Sequence, residues 1–284
     1  YNLFFMILTL VFGVFVGSFL TKLLFPFPES IGYKTAAVAV FNLFFQIMDL
    51  GTANMVNRYI GENNIKDPAK MIKYIQYFIW YQSMTGLFQT TAVSLYALYV
   101  VPRTELAYAA WIMLIQSTTQ FPGYLWIFKD ILGSLQQFHK TSVLNFLTGN
   151  VIQQITEIGF VLAFKAYGQA HPEMGMILGI AIGSIIGTYV DDFISTIICS
   201  KMFADTMKDY GIRVRDCFGH DFDWPLVKDA LSFGIKTGVP GILWTGVSLI
   251  SLWFWLTEVP QYTSFVALAS FASTFSGLVA TSLD

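Results

Sequence analysis

The sequence predicts an all-α integral membrane bundle, its chain crossing the bilayer about eight times. Three observations carry this. Of 284 residues, 55% are hydrophobic and only 12% charged, against about a quarter charged in soluble domains, so there are too few charges to coat a water-facing surface. Residues 74–102, 106–128, 237–257 and 259–283 contain no Lys, Arg, Asp or Glu. Each run can cover a hydrocarbon core of about 30 Å as a helix rising about 1.5 Å per residue. The short alternating segments of a membrane barrel are absent.

Taken in order, the apolar segments are 2–25, 32–60, 73–101, 105–134, 142–168, 174–203, 226–256 and 260–283. Phe25-Pro26-Phe27-Pro28 separates the first two, and Val101-Pro102-Arg103 the third and fourth. His171-Pro172-Glu173 opens the sixth. Trp224-Pro225 opens the seventh, with tryptophan at a membrane–water boundary and proline in a first turn, where its missing N–H has no helical partner to lose. Eleven Lys and Arg follow the even-numbered segments, from Arg58 to Lys228, and four lie on the opposite side, at Lys22, Lys34, Arg103 and Lys165. The asymmetry puts the even-numbered exits and the N-terminus in the cytoplasm of a multi-pass cell-membrane protein.

Residues 204–225 form the longest polar connection, a solvated linker with an interfacial helix. It divides a first lobe of six segments, 1–203, from a second that opens in 226–284. A faint repeat supports a second lobe: Glu29 to Tyr33 lies on Glu258 to Tyr262 at a shift of 229 residues. The chain opens on Tyr1 and closes at the end of an apolar run, so a piece of a longer protein is expected. No basic start or small-residue cleavage pattern marks a signal peptide.

Chemistry by catalysis has no support. His139, His171 and His220 sit in connections, and no GxxxxGK[ST] or GxSxG string occurs. The net charge of −2 argues against a nucleic-acid partner. Cys199 and Cys217 have no disulfide-framework or zinc spacing. No cofactor is implied.

The informative residues are charges inside apolar segments, where each costs about 2.5–3.5 kcal/mol on insertion scales. Glu157 lies mid-way along segment 5, Asp191 and Asp192 past the middle of segment 6, and Lys236 a third of the way into segment 7. Asp49, Lys129 and Asp130 lie nearer the ends, where Lys129 can snorkel and Asp49 can pair with Arg58. Asn150, Gln154 and Glu157 follow helical spacing, with Gln153 beside them, and so predict a polar face. Interhelical hydrogen bonding is an equal reading of such amides. Gly175, Gly179, Gly183 and Gly187 form a ridge at four-residue spacing that lets a neighbouring helix approach, and Asp191 continues it into the protein. Gly234, Gly238, Pro240 and Gly241 predict a bent helix around Lys236.

One stretch resembles a known family. Ile31-Gly32-Tyr33 starts a helix that reaches Asp49-Leu50-Gly51, with Arg58 seven residues after the glycine. This is similar to the second-helix signature of the polysaccharide and lipid-linked oligosaccharide flippases, in the multidrug/oligosaccharidyl-lipid/polysaccharide exporter superfamily. Gly133-Ser134-Leu135-Gln136 is similar to a Gly-x-x-Gln segment ending the family's fourth helix, and Leu231-Ser232-Phe233-Gly234 before Pro240 to the start of its seventh. The resemblance implies two pseudo-symmetric lobes and a transporter that flips a lipid-linked saccharide by alternating access. Membrane lipids and glycan-assembly proteins would be its other partners. It makes Arg58 and Lys236 the expected contacts for an anionic head group. Glu157, Gln153, Gln154, Asp191 and Asp192 become cavity residues for sugar hydroxyls, for those cations or for a coupling ion.

Other readings remain. A cation-coupled multidrug exporter of the same superfamily often has an acid within its first helix, and segment 1 has none. A non-transporting subunit of a membrane complex fits the composition. A membrane glycosyltransferase needs acidic residues in an early extracytoplasmic loop, and the first such loop offers only Glu29.

Overall fold

A computed structural model describes residues 2–16, 20–103, 107, 110–118 and 125–258. Among them every regular element is helical. The expected segment 260–283 and Tyr262 of the repeat lie outside the described residues.

The α-helices are α1 (Asn2–Phe15), α2 (Thr21–Leu24), α3 (Pro28–Asp49), α4 (Thr52–Lys66), α5 (Pro68–Tyr99), α6 (Ala110–Thr118), α7 (Ile127–Ser134), α8 (Phe138–Phe146), α9 (Gln153–Ala170), α10 (Met176–Asp209) and α11 (Trp224–Glu258). Three stretches are long and apolar enough to cross a membrane: Ser30–Asp49, Pro68–Arg103 and Met176–Asp209. They associate the chain with a bilayer. Helix α1 is apolar but shorter, and it rests on α8 through Phe5 and Phe12 against Phe146.

Local chemistry explains the helix starts. Pro28 and Pro68 occupy first turns, and the Asp67 carboxylate accepts from the Lys70 backbone N–H, 3.1 Å away. Four segments differ from the expected ones. Segment 32–60 is broken at Leu50 and Gly51, whose φ values are 47° and 70°. Segment 2–25 holds α1 and α2, and segment 105–134 holds α6 and α7. Segment 142–168 begins earlier, as α8, and passes through a π-helical turn over Leu147–Ile152 before α9.

The connection expected over 204–225 is shorter. Helix α10 continues to Asp209 and α11 starts at Trp224, leaving residues 210–223 with one 3-10 turn, Val214–Phe218. This connector is not free in solvent. Gln76 of α5 donates to the Asp216 carbonyl at 2.7 Å and accepts from the Asp221 N–H at 3.1 Å. Lys73 pairs with Asp223 at 3.1 Å, Tyr210 donates to Asn64, and Cys217 is buried.

The largest core lies at that end of the molecule. Met55 and Ile60 of α4, Tyr74 and Phe78 of α5, Ile131 of α7 and Phe203 of α10 enclose Cys217 and Leu226. A second core joins α3, α5, α6 and α10 through Ala37, Ala97, Ile112 and Ile185.

Candidate functional site

The site is built on the pairing of α9 with α10. A Cβ placed on Gly187 would lie 2.8 Å from the Glu157 Cα, and one on Gly183 would lie 2.6 Å from the Phe160 carbonyl oxygen. One on Gly179 would meet the Phe164 carbonyl oxygen at 2.5 Å. The glycine ridge therefore faces α9, backbone against backbone. Close approach brings the Glu157 carboxylate onto Ser184, whose hydroxyl donates to it.

A third helix completes the contact. Lys34, in the second turn of α3, donates to Ser184 Oγ at 2.5 Å and lies 3.4 Å from Glu157 Oε1. The Lys34 side chain is 31% exposed and that of Glu157 only 12%. The carboxylate is thus enclosed, while the ammonium group keeps one side open. Sequence reasoning missed Lys34 by assigning it to a connection. The signal was there: it is the one cation between Glu29 and Asp49, in an apolar stretch that needs a counter-charge.

Seven residues beyond Ser184, about 10 Å along the same face of α10, Asp191 is 2% exposed and accepts from Ser195 at 3.1 Å. Asp192 beside it is also buried and is held by the Trp126 side chain. Lys129 lies over the Trp126 ring, 4.4 Å from its centroid, and acts electrostatically on Asp130, Asp191 and Asp192. Glu157 in turn acts on Asp191. Charged groups thus run from half-buried Lys34 through buried Glu157 and Asp191 to half-buried Lys129.

The other expected residues sit elsewhere. Gln153 and Gln154 are half-buried at the start of α9. The π-helical turn just before them changes the residues per turn, so the face drawn from Asn150 to Glu157 does not carry across it. Arg58 is exposed, pairs with Glu62 at 3.2 Å and covers the Phe233 ring at 4.6 Å. Lys236 is exposed on α11. Neither cation takes part in the ion pairs or hydrogen bonds described for Glu157 and Asp191.

Asp49, Leu50 and Gly51 form a separate feature, the break between α3 and α4. The Asp49 carboxylate accepts from Thr52 and from Gln82 of α5, the latter at 2.7 Å, and Gln82 also donates to Thr52 Oγ1 at 2.6 Å. Asp49 is therefore not paired with Arg58. Tyr81 donates to the Met48 carbonyl at 2.8 Å, which satisfies an acceptor at the end of α3. No family model, curated protein or solved structure matches this chain.

Proposed function

We propose that the chain belongs to a membrane transporter that flips lipid-linked saccharides across the cytoplasmic membrane by alternating access. The observation that carries this reading is the contact of Lys34 with Glu157 and Ser184. A cation and an anion are kept inside apolar helices despite an insertion cost of about 2.5–3.5 kcal/mol each, and the cation is the more open of the two. A diphosphate-linked head group offers Lys34 a stronger acceptor than one carboxylate does. Binding would release Glu157, and with it the tie between α3 and the α9–α10 pair. Asp191 and Asp192, with Lys129 beside them, are the groups that would hold a coupling cation.

In this reading the chain crosses the membrane about eight times with a cytoplasmic N-terminus. Residues 1–209 form one lobe, 210–223 the cytoplasmic linker, and 224–284 the opening of a second lobe. Arg58 and Lys236, both exposed, meet the head group on its way in. The test uses the reconstituted protein in proteoliposomes and a fluorescent diphosphate-linked saccharide lipid. Faster transbilayer movement of that lipid than of a phosphatidylcholine analogue is expected. Equal rates for both lipids, or movement of hydrophobic cations in their place, would overturn the reading.

A further inference from the structure

Residues 32–60 carry the apolar pattern of one continuous helix, yet the chain breaks it at Leu50. Leucine at φ 47° lies in the left-handed region, which a side chain of this size avoids. Something outside the segment must hold it there. Helix α11 crosses the break on two glycines: a Cβ on Gly234 would lie 2.6 Å from the Leu50 carbonyl oxygen, and one on Gly238 would lie 2.7 Å from the Leu50 carbonyl carbon. Gly51 cannot gain a Cβ either, because it would lie 2.7 Å from the Gly234 carbonyl oxygen. At the rim, Phe233 meets Tyr59 edge-on with centroids 5.7 Å apart.

We propose that α11 and this break form a two-state switch. With α11 seated, α3 and α4 are broken at Leu50. With α11 unseated, they join into one helix and Leu50 relaxes. At Gly234 and Gly238 the seat is backbone on backbone, with the Thr237 hydroxyl and the Phe233 ring at its edge, so it can open as a unit. Just beyond it, Pro240 lacks an N–H and leaves the Lys236 carbonyl without its helical donor, which softens α11 at that point. Further on, Leu243, Trp244 and Val247 are exposed. Gln82 holds the broken form by bonding Asp49 and Thr52 from either side of the turn. The switch goes beyond the transport reading and stands without it, because it involves no ligand.

Spin labels on the reconstituted protein test it. Asn42→Cys and Glu62→Cys replace exposed residues on either side of the break. A continuous helix would set these positions about 30 Å apart, and the broken form sets them closer. In Gly238→Leu the population at about 30 Å is expected to rise. Leu50→Gly, placed in a Gly238→Ala background, is expected to restore the broken population roughly tenfold, since glycine adopts the left-handed region freely. Cross-linking of Tyr59→Cys to Phe233→Cys reports seating, and that of Lys73→Cys to Asp223→Cys reports the intact fold. Where Gly238→Leu loses the second cross-link, Gly234→Ala, whose Cβ would press on the Leu50 carbonyl oxygen, replaces it. An unchanged label distance after loss of the seating cross-link in a folded variant, or no rescue by Leu50→Gly, overturns the switch.

Discussion

Lys34 and Glu157 come from helices more than a hundred residues apart in sequence, and each explains the other. An enclosed carboxylate left without its cation keeps its desolvation cost. The single change Lys34→Ala should therefore destabilise more than the neutral double change Lys34→Ala with Glu157→Gln. A double-mutant cycle by unfolding in mixed micelles is expected to give a coupling of about 1–3 kcal/mol. Additive effects would show that the pair does not act as one. Glu157 was legible in the sequence because an isolated acid stands out in an apolar run. Lys34 was not, because near the edge of a segment drawn from residue 32 it was counted with the connection, whereas Pro28 in the first turn starts the helix earlier and puts Lys34 in its second turn.

Helices α9 and α10 meet where glycine removes the side chain, as do α11 and the break at Leu50. The ridge from Gly179 to Gly187 was legible from spacing alone, and α9 is the helix that uses it. A methyl group at Gly187 would press on the Glu157 backbone. Gly187→Ala is expected to destabilise by about 1–3 kcal/mol, read as a lower unfolding midpoint, and to displace the Glu157 carboxylate from Ser184. Gly133, which has open space around it, supplies the comparison: Gly133→Ala should leave the midpoint unchanged or higher. The break in segment 32–60 was not legible. Its local pattern is helical, and its geometry is imposed by Gln82, Tyr81 and α11, which come from distant parts of the chain. The π-helical turn before α9 was hidden for a related reason, since no residue type in 147–152 marks a change in winding.

At the scale of the molecule, the connector from α10 to α11 is fastened to α5, and this ties α11 to the helices before it. Loss of the two Gln76 hydrogen bonds should loosen it. Gln76→Ala is expected to speed alkylation of Cys217 roughly tenfold, from about 1–2 kcal/mol of lost closure; an unchanged rate would show that Gln76 does not hold the connector. Burial pushes the Cys217 thiol from 9.0 up to about 12, and Asp216 adds to the rise. The raised value means the fold holds the thiol proton more tightly than the open chain does. The stability this lends is full below about pH 9 and is lost as pH rises towards about 12. Cys217→Ser should flatten stability over that window.

The uncharged run 74–102 made one membrane-length helix legible, whereas the other two, Ser30–Asp49 and Met176–Asp209, carry charges within them. The position of the connector was not legible, because its polar composition reads the same whether it is solvated or clamped. Transport, in the proposed mechanism, turns on Lys34 as the cation that meets an anionic head group. The most direct test is the rate at which a diphosphate-linked saccharide lipid crosses proteoliposomes carrying Lys34→Gln, beside Lys236→Gln. A fall of about tenfold or more is predicted for Lys34→Gln, with a smaller fall for Lys236→Gln, which meets the head group only on its way in. Wild-type transport by Lys34→Gln would contradict the mechanism.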